Sequence, residues 1–299
     1  MSAIQHKDSL IDKFFFYALT TPFFQEYIKA LSDGANINNL KSRDILEYTI
    51  PLPSLSEQRE IVAYLDKEFA LIDALREKAT LQLQAAKDLF QSALKQLLTP
   101  KHGWEEKKIC SVGEVRIGPF GSLLHKSDYV LGGVPLINPM HIISGVIKAD
   151  INYSVSLSKA NELSAYRMRT KDIVLGRRGE MGRCAVVEDS QSGFLCGTGS
   201  IFFRPNPTIV NPYFLSLLLQ SEEGVSKLSN VAGGATMQNL SSKAFGSILV
   251  FLPSLSEQEE IVRKLDALSE KCRQLEENYR QTITLCNDLK QALLRQVFE

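Results

Sequence analysis

Three arginines crowd a short stretch of this 299-residue chain: Arg177, Arg178 and Arg183 lie within KDIVLGRRGEMGR, residues 171–183. The flanking segments 172–175 and 183–187 read as strands, and Gly179 with Gly182 supply a turn between them. Such a turn presents the guanidinium groups on one protruding edge. A guanidinium donates in a fork that fits two adjacent acceptors, such as guanine O6 and N7 or a pair of phosphate oxygens. An exposed turn with simply hydrated arginines is the competing reading. A second set, Ser122, His125 and Lys126, follows the flexible Gly118-Pro119-Phe120-Gly121 and could donate to phosphate or base. An ordinary surface loop is its alternative.

Other chemistries find less support. The five cysteines (Cys110, Cys184, Cys196, Cys272, Cys286) are widely spaced with no CxxC pair, so neither a disulfide framework nor a zinc site is expected. The four histidines (His6, His102, His125, His141) lack metal spacing. No G-x-x-x-x-G-K-[ST] loop occurs, and Asp172, Glu188 and Asp189 lack the lysine that a nuclease site would need. Asn211-Pro212-Tyr213-Phe214 mimics the amine-holding loop of amino-methyltransferases. Its second proline is missing and no Gly-rich cofactor loop accompanies it, so helix capping is the better reading. No catalytic residue is assigned.

The elements that must carry these residues emerge from an internal repeat. LPSLSEQREIV at residues 52–62 recurs as LPSLSEQEEIV at 252–262, with ten of eleven positions identical. The same offset aligns GANINNL (34–40) with GATMQNL (234–240), Phe14 with Phe214, Leu65-Asp66 with Leu265-Asp266, and Gln91, Leu94 and Gln96 with Gln291, Leu294 and Gln296. Shared helix-start grammar, the S-x-x-E of Ser54–Glu57 and Ser254–Glu257, explains residue types but not this constant register. Duplication does. Residues 100–209 front the second unit and nothing comparable precedes the first, so the chain is expected to begin within a repeat.

Each unit ends in a long helical pattern free of Gly and Pro. The apolar positions are Leu65, Phe69, Ile72, Leu75, Ala79, Leu83, Ala86, Phe90, Ala93 and Leu97, then Leu265, Leu268, Cys272, Leu275, Tyr279, Ile283, Cys286, Leu289, Leu293 and Val297. Two rods of roughly 60 Å follow at ~1.5 Å per residue, packed antiparallel if a pseudo-twofold axis relates the units. Between them, residues 104–203 are rich in Gly and β-branched residues, with strand-like runs at 134–137, 173–175, 185–187 and 200–203. The expected fold is α+β: a strand-rich domain, two paired long helices and a smaller N-terminal portion. A helix capped by Asn211 is expected to run to about Leu219. Net charge is zero, but residues 100–209 hold 14 basic against 10 acidic residues, compatible with attraction to phosphate and also ordinary for a globular domain. The apolar run 14–19 follows Asp8, Asp12 and Lys13 with no cleavage site after it, so the chain reads as cytoplasmic.

In order, GPFGSLLHKSDY (118–129), KDIVLGRRGEMGR (171–183), NPYFLSLLL (211–219), GGATMQNLS (233–241) and FLPSLSEQEEIV before a long helix resemble the specificity subunits of type I restriction-modification systems. Essentially the whole chain takes part. The resemblance implies a first target recognition domain represented by residues 1–50 and lacking its front, a conserved helix at 51–99, a complete second recognition domain at 100–250, and a second helix at 251–299. Each recognition domain of such proteins reads half of a split target in double-stranded DNA. Gln238 and Asn239 resemble the family's turn before the last strand, where DNA contact and plain turn chemistry both fit. The helices would space the half-sites and dock methyltransferase (modification) subunits, with a restriction/translocase subunit completing the complex. No cofactor is expected on this chain; S-adenosylmethionine, ATP and Mg belong to those partners. The missing front of the first domain would be supplied by a separate polypeptide, by a second copy in a dimer, or not at all. Rival readings are the recognition subunit of a type IIB-like enzyme and a non-specifying interaction protein that occupies methyltransferase subunits. An autonomous methyltransferase would need the missing cofactor motifs.

Overall fold

Ser54 and Glu57 close the cap that their spacing predicts: Ser54 Oγ accepts from the Glu57 amide at 3.4 Å, and Glu57 Oε2 accepts from the Ser54 amide at 2.8 Å. From this cap runs the unbroken 44-residue helix Leu55–Leu98. Two hundred positions on, Ser254 Oγ accepts from the Glu257 amide at 3.3 Å and starts the 44-residue helix Leu255–Phe298. Here the Glu257 carboxylate accepts from Trp104 Nε1 at 3.2 Å. The computed structural model describes residues 9–32, 45–119, 123–233 and 239–299. It falls into two units, residues 1–89 with 271–299, and residues 90–270.

In the first unit, helices Asp12–Thr20 and Pro22–Ser32 precede the long helix. The two long helices run antiparallel here: Leu65 clusters with Leu294 and Phe298, while Asp73 accepts from Lys290 Nζ at 2.5 Å. Leu65, Ile72, Ala79 and Ala86 are buried at strict heptad spacing, and Cys272 and Cys286 occupy the same register 200 positions later. Leu75, Leu275 and Leu289 do not belong to the seam, being 52%, 39% and 50% exposed. A contact between two helices is narrow, and these leucines fall on its outer flank.

A buried glutamine fixes the start of each long helix. Gln58 Oε1 accepts from the Ile11 amide at 2.9 Å, and its Nε2 donates to the carbonyls of Ser9 and Pro53 at 3.0 and 2.9 Å. In the second unit Gln258 Oε1 accepts from the Asn211 amide at 2.8 Å, and Nε2 donates to Ile209 and Pro253 at 3.1 and 2.9 Å. Both residues are wholly buried. The repeated SEQ thus encodes a clamp between the long helix and the chain entering the short helix.

The second unit holds the sheets. Gly113–Ile117, Ser200–Pro205, Ile173–Gly176 and Cys184–Val186 pair antiparallel in that order. A smaller mixed sheet joins Leu195–Cys196, Val134–Ile137, Ser154–Val155 and Tyr129–Val130. Phe203, Phe214, Phe245 and Ile201 fill the main core, which also takes in Leu94 and Leu98 of the first long helix. Helices Pro212–Gln220 and Glu222–Val231 cover it. They stand 200 positions after their counterparts in the first unit. The mixed α+β class and the paired helices expected from the sequence are therefore what the chain forms.

Candidate nucleic-acid interface

The strands Ile173–Gly176 and Cys184–Val186 pair with Leu175 opposite Cys184, and residues 177–183 form the connection between them. Gly179 and Gly182 adopt φ of 77° and 83°, a left-handed conformation that costs other residues. The short turn expected from the glycines is present. Around it the Arg177 amide donates to the Gly199 carbonyl at 3.0 Å and the Leu240 amide donates to the Arg177 carbonyl at 2.8 Å. Asn239 bridges to Arg178 as an isolated antiparallel pair. The segment before the last strand is thereby stitched to the arginine turn.

Arg177 and Asn239, candidates far apart in sequence, come into direct contact: Nε and Nη2 of the arginine donate to Asn239 Oδ1 at 3.1 and 2.9 Å. Arg178 is exposed beside them. Burial, and secondarily the neighbouring Arg178 charge, holds the Arg177 guanidinium below its ordinary value. Neither arginine has an ion-pair partner among the described residues.

Arg183 does not share their edge as a free group. It pairs with Glu180 and donates to the Pro139 carbonyl at 3.4 Å, because the carboxylate three residues back closes over it. His125 and Lys126 are exposed on a separate short turn, with the His125 amide donating to Asp128 Oδ2 at 2.6 Å. No described hydrogen bond or ion pair links them to Arg177. Ser122 and Gln238 lie outside the described residues.

Sequence reasoning missed the support beneath the turn. Asn138 Oδ1 accepts from the Gly199 amide at 3.3 Å, and a Cβ placed on Gly176 would stand 3.2 Å from the Pro139 ring. The Asn-Pro pair, a turn signal, was legible; its target was not.

The decoys resolve into scaffolding. Asn211 Oδ1 accepts from the amides of Tyr213 and Phe214 at 2.9 and 3.2 Å, so the side chain is spent on capping. Asp172 is 2% exposed and holds Arg204 through two bonds of 2.9 and 2.7 Å, while also accepting from the Arg169 amide at 2.8 Å. The pairing raises the Arg204 value further. Cys184 is buried and its thiol is pushed up to about 12. Among the described residues, no group of three or more His, Cys, Asp and Glu is placed to hold a metal, and no helix is long and apolar enough to cross a membrane.

Known proteins resemble this chain. The EcoBI specificity subunit of Escherichia coli is 25% identical over 98% of this chain and 66% of its own length; the StySPI specificity subunit of Salmonella potsdam is 25% identical over 92% and 62%. The chain thus spans about two thirds of these relatives or less. A solved structure from work on complex assembly and conformational transition of the type I R-M system superposes with a TM-score of 0.75 at 23% identity, covering 96% of this chain and 70% of that one. The HsdS subunit of Thermoanaerobacter tengcongensis gives 0.62 at 22% identity, covering 96% and 69%. These two establish likeness of fold. The family model for the type I restriction modification DNA specificity domain matches residues 1–85 and 101–285, and the chain belongs to that family.

Proposed function

We propose that this protein is a DNA-binding specificity subunit of a type I restriction-modification complex, itself without catalytic residues. Residues 100–250 read a half-site in double-stranded DNA. Residues 1–50 represent the first recognition domain, and the helical segments 51–99 and 251–299 form a spacer that docks methyltransferase subunits. The observation that carries the reading is the turn bearing Arg177 and Arg178, cations with no described carboxylate partner, stitched to Asn239. Family membership and the named specificity subunits among the relatives support it. S-adenosylmethionine, ATP and Mg are then assigned to the methyltransferase and restriction/translocase partners, in the cytoplasm.

Co-purification with the neighbouring modification subunit, followed by mapping of methylated bases, tests the proposal. The expected result is a stable complex that methylates one defined sequence and does nothing when this chain is omitted. Absence of both complex and sequence dependence would remove it. Substituting Arg178 with Ala is expected to weaken DNA binding and, for a phosphate contact, to reduce the slope of log affinity against log salt by about 0.9.

A further inference from the structure

The contact between Arg177 and Asn239 restricts what the turn can recognise. A guanidinium carries five N–H donors and no acceptor, so only the oxygen of the Asn239 amide can face it. Because Nε and Nη2 of Arg177 both donate to Oδ1, the amide is held in one of its two flips, with Nδ2 directed elsewhere. The backbone holds the two residues side by side: Arg178 bridges to Asn239, and the Leu240 amide donates to the Arg177 carbonyl. Pro139 packs beneath Gly176, which limits recoil of the turn.

The side-chain groups that these three residues leave for a ligand are donors: Nδ2 of Asn239, Nη1 of Arg177 and the Arg178 guanidinium, while the Glu180 carboxylate in the same turn is paired with Arg183. Asparagine recognises adenine by donating to N7 while accepting from the N6 amine. With Oδ1 committed, that two-way pattern is closed. Guanine offers O6 and N7, two adjacent acceptors, on its major-groove edge. Resting on the DNA-reading role proposed above, we infer that Arg177, Arg178 and Asn239 form a donor-only reader that selects guanine and rejects adenine at one position of the half-site. Arg177 has a double task, pinning the amide with one side of its fork and presenting the other.

The test uses the full chain in complex with its modification subunit and a library of randomised DNA duplexes, with bound sequences counted. Two variants carry the decision. Arg177→Lys keeps the charge but removes the fork; Asn239→Asp keeps an acceptor for Arg177 but removes the outward N–H donors. The wild-type complex is expected to enrich a motif, and both variants to lose guanine preference at the same single position by about tenfold or more. Other positions keep theirs, and Arg177→Lys leaves the salt dependence unchanged. Should Asn239→Asp lower the melting temperature, Arg177→Lys decides alone. An adenine at the position these residues control overturns the inference, as does an equal loss of affinity for all sequences, which marks a phosphate contact. A wild-type complex that enriches no motif overturns DNA reading itself together with this reader.

Discussion

Asp172 exemplifies a residue whose role only the fold reveals. Its two oxygens are filled by Arg204 and by the Arg169 amide, and it is 2% exposed. Removing one partner of such a pair leaves the other desolvated and unpaired, so Asp172→Ala is expected to cost on the order of 3 kcal/mol, measured by denaturant unfolding. His141 offers a second test. It is 3% exposed, accepts from the Asn138 amide through Nδ1 at 3.1 Å, and stands edge-on to Tyr153. Burial holds it below its ordinary value, with Asp150 opposing. A folded value below the unfolded one means that the unfolded chain binds the proton more readily. Stability from this residue is therefore present above about pH 6.5 and lost as pH falls from there into the acid range. Thermal unfolding of His141→Asn should show a shallower loss over that interval than the parent chain; equal slopes would refute the assignment. Neither role was legible beforehand, since the partners of Asp172 and the burial of His141 depend on segments brought together only by the sheets.

At the scale of elements, the buried glutamines give the sharpest expectation. Gln258 satisfies three backbone groups at once. Gln258→Ala strands them, and a loss of about 2 kcal/mol is expected, with Asn211–Gln220 exchanging amide hydrogens faster. Ala79, 3% exposed in the helix seam, admits no charge, and Ala79→Asp should open the pair, read as increased cleavage of residues 70–90 by protease. These elements were the legible part of the chain. The repeat register gave both long helices and their caps, and the Asn211-Pro212 pair gave the Asn211 cap, because each is written in adjacent residues. The short helices Asp12–Thr20, Pro22–Ser32 and Glu222–Val231 went unread, although the repeat could have transferred one pair to the other. At the site, the arginine turn was written locally. Its contact with Asn239 joins residues 62 positions apart and needed tertiary structure. The seam was misjudged at Leu75, Leu275 and Leu289 because apolarity shows where burial is permitted, not where a partner exists.

For the whole molecule, the ends of the long helices matter most. Phe298 packs its ring 5.1 Å from Phe14 in the first unit, and Leu98 is buried with Phe214 in the second. The pairs are 200 positions apart, so each repeat closes its core with the end of a long helix. Phe298→Ala is expected to destabilise the first unit by about 3 kcal/mol while the second keeps its unfolding midpoint, resolved by hydrogen exchange.

The same closure sets an order of events during synthesis. Residues 90–270 form a continuous stretch and have all their core partners once that stretch has left the ribosome. Phe14 must wait for Phe298, nearly the whole chain later. The cluster around Phe14 and Tyr17 is therefore completed after the core of residues 90–270, and until then it has Leu65 and Phe69 but lacks the cover of Leu294 and Phe298.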